Sequence, residues 1–157
     1  MKTIKILLLQ TLILLFSCKT DDEPVELPNN TDRVLLKINN QNWEGKAKYT
    51  AGVDITAYTD LYGSETNPEF RLHIAQSLVK EGQTISIMGK NAVTYVSYRY
   101  NNKDYHSYNG PAINIGSITI TKVGERLVGS FQTKIYGSSG GEYEITNGYF
   151  NVKINKI

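Results

Sequence analysis

A chain of 157 residues with 17 basic and 15 acidic side chains has the length of one ordinary domain and enough apolar material for a single core. Its basic residues are spread over every segment without a Lys/Arg run, which leaves no electrostatic footprint for nucleic acid and excludes that partner. The single cysteine, Cys18, excludes an intramolecular disulfide and any cysteine-based metal or redox centre in the domain, so core packing must supply the stability.

Met1 to Lys5 is a short basic start, followed by an apolar run from Ile6 to Phe16 that ends in Leu15-Phe16-Ser17-Cys18. That is the layout of a three-part export signal. The run is about 11 residues long, short of the roughly 20 that a bilayer-spanning helix needs. Its ending resembles the lipobox of bacterial lipoproteins, in which a small residue (here Ser17) precedes a cysteine that is acylated before cleavage. The resemblance implies that residues 1–17 are a signal peptide and that Cys18 becomes the lipidated first residue, with the membrane as its first partner. Each buried methylene contributes about 0.8 kcal/mol, so one acyl chain holds marginally and two or more hold stably. Removal of Lys2 and Lys5 leaves 15 basic and 15 acidic side chains.

Lys19-Thr20-Asp21-Asp22-Glu23 resembles the acidic signal that sends lipoproteins of the Bacteroidota to the outer face of the outer membrane. Lys19, Asp21, Asp22 and Glu23 are therefore the candidate surface-export residues. The same stretch also reads as a solvated acidic linker. Pro24, Pro28 and Asn29-Asn30 offer nothing to pack, so residues 18–32 form a lipidated acidic tether.

Residues 33–157 form the domain. Val34, Leu36 and Ile38 alternate with polar neighbours, and Asn39-Asn40-Gln41-Asn42 turns the chain into a strand holding Trp43 and Tyr49. Val53, Ile55 and Ala57 repeat the alternation. After a Gly63 to Pro68 loop, Phe70, Leu72 and Ile74 alternate with Arg71 and His73. Helical evidence is limited to one turn's worth between Ile74 and Lys80. Ile85 and Ile87 mark a short strand, and Val93 to Tyr100 pairs with Lys103 to Tyr108 across Asn101-Asn102, a dipeptide suited to a tight turn. Ile118 and Ile120, then Leu127, Phe131 and Ile135, then Phe150, Val152 and Ile154 mark three further strands. Gly124-Glu125 and Gly137 to Gly141 lie between them, and Asn147-Gly148 is a turn or a bulge before the last strand. The pattern predicts an all-β domain of nine to eleven antiparallel strands. One-sided alternation over so many strands needs a second apolar layer, which a β-sandwich and a closed β-barrel supply equally well.

Gly116-Ser117-Ile118-Thr119-Ile120-Thr121-Lys122, Val128-Gly129-Ser130-Phe131 and Ile145-Thr146-Asn147-Gly148-Tyr149-Phe150-Asn151-Val152 resemble a family of uncharacterised β-rich lipoproteins of Bacteroidota. Ile38-Asn39-Asn40-Gln41-Asn42-Trp43 resembles the family's opening hairpin, so the resemblance covers most of residues 33–157. It implies a lipid-anchored β domain at the outer membrane. It implies no catalytic or binding residue.

No His, Asp and Glu cluster stands at metal-ligand spacing, and no metal or cofactor is expected. His73 and His106 each read as an isolated strand residue. Hydrolase motifs are missing, and Gly137-Ser138-Ser139-Gly140-Gly141 lacks the Lys and following helix of a phosphate loop. The unusual local feature is tyrosine: Tyr95, Tyr98, Tyr100, Tyr105 and Tyr108, five of the chain's 11, interleave with Arg99, Asn101, Asn102 and Asn109. Aromatic rings beside amides suit recognition of glycan or protein surfaces. The same rings in cross-strand pairs also stabilise a two-stranded ribbon. Tyr98, Tyr100, Tyr105 and Tyr108 are the candidate binding surface, although alternation turns Tyr95 to the opposite face from Tyr98 and Tyr100. The leading expectation is a non-enzymatic binding or scaffolding module. Its alternatives are a carrier of a lipophilic ligand inside a barrel and a hydrolase acting on envelope polymers. Replacing Asp21, Asp22 and Glu23 together with Ala is expected to abolish antibody labelling and external protease access in intact cells that display the wild type. Equal labelling of both proteins would make the acidic stretch a plain linker.

Overall fold

The computed structural model describes residues 31–50, 54–59, 64, 67–90 and 92–154. The predicted signal peptide (residues 1–17), Cys18 and the candidate export residues lie outside the described residues. Ten antiparallel strands are present among the described residues: β1 (Arg33–Ile38), β2 (Gln41–Thr50), β3 (Asp54–Tyr58), β4 (Phe70–His73), β5 (Thr84–Met88), β6 (Tyr95–Tyr100), β7 (Lys103–His106), β8 (Asn114–Val123), β9 (Arg126–Gly137) and β10 (Glu142–Lys153). The helical turn expected near Ile74 to Lys80 is a single 3₁₀ turn, Gln76–Leu78, and a second covers Ser107–Asn109.

Eight strands close a barrel in the order β10, β1, β2, β3, β4, β6, β7, β9, with β9 pairing back onto β10. The fold is therefore a closed barrel rather than a sandwich. What decides between them is β9, whose twelve residues serve three neighbours. Along one edge it pairs with β10 from Arg126 to Tyr136. Along the other, Leu127 to Thr133 pair with β8, and Tyr136 and Gly137 pair with β7. Strands β8 and β5 continue the sheet outward from the lower half of β9.

Paired asparagines set two of the hairpins. Asn39 and Asn40 have φ of 48° and 65°, and Asn101 and Asn102 have φ of 49° and 57°. Two successive left-handed residues make the type I′ turn whose twist matches the flanking strands. Gln41 and Asn42 consequently already belong to β2. Asn147, with φ of 50°, sits where β10 slips register against β9 between Ile145 and Gly148. Asn147-Gly148 is thus a bulge inside one strand and not a turn.

Alternation sends Val34, Leu36, Ile55, Leu72, Val96, Ile118, Leu127, Ile135 and Val152 inward, all buried. A run of rings follows the interior from Trp43 to Phe70 (centroids 5.9 Å apart), Phe131 (5.5 Å) and Phe150 (6.3 Å). Each fully buried ring contributes roughly 1.5–3 kcal/mol relative to exposure. The rings fit because glycines face them. A methyl group on Gly129 would stand 2.5 Å from the Phe150 ring, and one on Gly148 would stand 2.7 Å from the Phe131 ring.

Thr31 and Asp32, at the end of the predicted tether, are tied into the barrel. Asp32 Oδ1 accepts from Lys153 N and from Arg126 Nη2, each at 2.7 Å, and the Asp32 carbonyl accepts from Ala47 N at 2.8 Å. Arg126 Nη2 also donates to the carbonyls of Thr31 and Asn151, both at 3.1 Å.

Gly129→Ala forces a methyl group into packed ring and backbone, an overpacking that costs about 1–3 kcal/mol. In urea unfolding the variant is expected to show a lower midpoint with an unchanged slope. An unchanged midpoint would mean that the Phe150 ring has free space to retreat into.

Candidate functional site

Cross-strand register on the outer wall of β3, β4, β6 and β7 builds two rows. In the first, Asp54 stands opposite His73 and His73 opposite Tyr95. In the second, Arg71 stands opposite Ser97, Ser97 opposite His106 and His106 opposite Tyr136. All occupy the polar phase of their strands, so their side chains lie outside the barrel.

His73 Nδ1 and Asp54 Oδ1 are 2.6 Å apart. That contact fixes the imidazole plane, and His73 stacks on Tyr95 with centroids 4.9 Å apart and planes at 17°. Tyr95 meets Tyr108 edge to face at 5.4 Å, and Tyr108 stacks on His106 at 4.5 Å and 12°. Offset stacks and edge contacts at these separations are favourable geometries for aromatic pairs, each worth about 0.5–1.5 kcal/mol beyond area burial. The result is a four-ring ladder crossing three chain segments.

Tyr108 reaches the ladder because β7 ends early. Ser107, fully buried, accepts the Val96 N–H at 3.0 Å through its hydroxyl, replacing a lost ladder bond. Asn109 Nδ2 donates to the Tyr136 carbonyl at 3.1 Å. Together they pin the 3₁₀ turn that carries Tyr108.

Most of the charge on this wall is engaged in pairs. Arg99 Nε donates to Asp104 Oδ1 at 2.7 Å, and Arg99 also donates to Asn67 Oδ1. Arg71 is exposed and makes no ion pair among the described residues. His106 Nδ1 is buried without a hydrogen-bond partner. Burial lowers the His106 pKa below the ordinary 6.5, with Asp104 opposing and Arg99 assisting.

The four tyrosines of the expected surface separate. Tyr98 and Tyr105 are only 7% and 9% exposed, whereas Tyr100 and Tyr108 are 47% and 38% exposed. Tyr98 stands opposite Tyr105 on the inner face, beside Trp43 at 6.1 Å, and Tyr105 packs on Tyr143 at 4.6 Å. Tyr100 stacks over Tyr98 at the barrel mouth, 6.3 Å away. The Tyr98 hydroxyl is pushed up to about 12 by burial and then by the Glu69 carboxylate. Only Tyr108 of the four belongs to the outer wall. Tyr95, which alternation sends there, joins it, together with the two histidines that read as isolated.

The Asp54–His73 contact is a His–carboxylate pair of the kind a hydrolase uses, but no hydroxyl hydrogen-bonds its imidazole among the described residues. Nor do any three His, Cys, Asp or Glu side chains stand in position to hold a metal ion among the described residues. An open groove of about 350 Å³ crosses β8, β9 and β10 beside Ser117, Gln132, Lys134 and Thr146. Lys134 there is engaged by Glu142 at 2.6 Å. Comparison with known proteins found no matching family model, no matching curated protein and no matching solved structure.

Because burial disfavours the charged form of His106, the unfolded chain takes up its proton first as pH falls. Its contribution to stability is complete above the unfolded value near 6.5 and is lost as pH drops through the lower folded value. The expected result is an imidazole that titrates below 6.5 by NMR. His106→Phe, which keeps a ring against Tyr108, should flatten the stability–pH slope in that window. A titration at or above 6.5 would contradict the assignment.

Proposed function

We propose that the chain is a lipid-anchored, non-enzymatic binding module of the outer membrane, belonging with the β-rich Bacteroidota lipoproteins it resembles and binding a glycan or protein ligand. The observation that carries the reading is the half-exposed ladder of His73, Tyr95, Tyr108 and His106 on the outer wall of a closed barrel. Ring faces give contact area at little conformational cost, and rings already locked by their neighbours lose less freedom on binding. A barrel wall is stiff, which suits recognition without rearrangement. The anchor at Cys18 and the tether would hold that wall at the membrane surface.

A closed barrel is also the architecture of lipophilic-ligand carriers. Here the run from Trp43 through Phe70 and Phe131 to Phe150 lies along the interior. This favours the outer wall over the inside as the place of binding.

The double variant Tyr95→Ala, Tyr108→Ala is expected to lose at least about tenfold in affinity for envelope material retained by the wild type, equal to about 1.4 kcal/mol. Gln132→Ala, on a different wall, should bind normally. Circular dichroism and thermal unfolding would confirm that the barrel survives. Wild-type retention by the double variant would sink the reading.

A further inference from the structure

Ser97 is a small side chain among large ones on the outer wall, so the strand lattice leaves a dip over it. On the strand lattice Ser97 has Arg71 on one side, His106 on the other, and Tyr95 and Arg99 two residues away on its own strand face. Tyr108 overhangs from the His106 side. Five large side chains thus surround one hydroxymethyl group. The span from β4 to β7 covers two strand spacings, roughly 9.6 Å between backbones, which is on the scale of one sugar residue.

The chemistry around the dip is selective. Arg71 brings an exposed guanidinium with no ion-pair partner among the described residues. A guanidinium presents a planar fork that matches a carboxylate through two parallel hydrogen bonds. The neighbouring Arg99 is balanced by Asp104, and Asp54 lies against His73. A cation without an ion-pair partner among the described residues suits a ligand with one negative charge per sugar. A densely sulfated chain would meet Asp54 and Asp104 and gain little. The exposed part of the Tyr108 ring suits apolar contact with the C–H groups of a pyranose, and the Ser97 hydroxyl can both donate to and accept from sugar hydroxyls.

We propose that this dip is a subsite for a carboxylated sugar residue, a uronic acid within a glycan chain, with Arg71 holding the carboxylate and Tyr108 the ring. The assignment rests on the binding-module reading and names its ligand class. Arg71 then determines specificity, and Tyr108 supplies affinity common to acidic and neutral sugars.

The test uses the full lipidated chain purified in detergent, with polygalacturonate and its fully methyl-esterified form as probes in calorimetry and affinity electrophoresis. Polygalacturonate should bind at least tenfold more tightly than the ester, and added salt should narrow that gap. Arg71→Gln should erase the preference, bringing polygalacturonate binding down to that of the ester, with the melting temperature unchanged. Arg71→Lys, which keeps the charge without the fork, should retain only part of it. Tyr108→Ala should weaken both probes together. Equal binding of acid and ester by the wild type, or an Arg71→Gln variant with the preference intact, overturns the carboxylate assignment and leaves the binding module standing if Tyr108→Ala still weakens both. Binding of polyglutamate but of neither glycan makes the ligand an acidic peptide and overturns the sugar assignment. Binding of no probe, combined with normal retention of envelope material by the Tyr95, Tyr108 double variant, removes both readings.

Discussion

The structure depends on one seam. Strand β7 reaches β9 through only two residue pairs, Tyr105 opposite Gly137 and His106 opposite Tyr136. Everything on the outer wall beyond β6 hangs on that contact. Gly137 makes it possible, because the Tyr105 ring lies 3.1 Å from where a side chain would begin. Tyr105 then packs edge-on against Tyr143 of β10 at 4.6 Å. The glycine and two rings bind three strands at a point where backbone hydrogen bonds alone are few. His106, on the opposite face of the same seam, is delivered to the ladder by the closure that buries Tyr105.

Closure also explains why a line of rings runs through an interior otherwise built of Ile, Leu and Val. A barrel assembled from strands of 4 to 12 residues has an uneven bore, and large rings laid over glycines fill it where Leu or Ile would leave gaps. Phe150 over Gly129, Phe131 over Gly148 and Trp43 over Gly45 repeat the device on three strands. Close packing of this kind makes the wall rigid. Rigidity allows His73, Tyr95 and Tyr108, from three separate chain segments, to hold their ring contacts without any of them being buried.

Much of the strand content was legible in the sequence because alternation and paired asparagines act locally. The hairpin between β6 and β7, the bulge-or-turn choice at Asn147-Gly148 and the 3₁₀ turn after Ile74 all sit where the residues pointed. Closure was not legible. A sandwich and a barrel impose the same alternation on each strand, and the double use of one edge of β9 leaves no local mark. The ladder was hidden for the same reason. His73 and His106 are 33 positions apart in the chain, and what joins them is the order β4, β6, β7, with β5 sent elsewhere. The polar phase of each strand was readable, which is how Tyr95 separated from Tyr98, but a phase does not say which strand comes next.

The tyrosine-rich hairpin shows how much a turn can decide. With Asn101 and Asn102 both left-handed, Tyr100 faces Lys103 and Tyr98 faces Tyr105, so one set of rings enters the barrel mouth and Tyr95 goes to the outer wall. A slip of one residue would exchange the sets. Tyr98 would then be traded for Ser97 in the core, leaving a void among Trp43, Phe70 and Tyr105, and the dip over Ser97 would be filled by a ring. The core therefore selects the register, since burying Tyr98 and Tyr105 is worth several kcal/mol and burying Ser97 and Arg99 costs a comparable amount. The small residue at the centre of the outer wall follows from that choice. The concavity on the surface and the filled mouth inside are two faces of one alternation, held in phase by two asparagines.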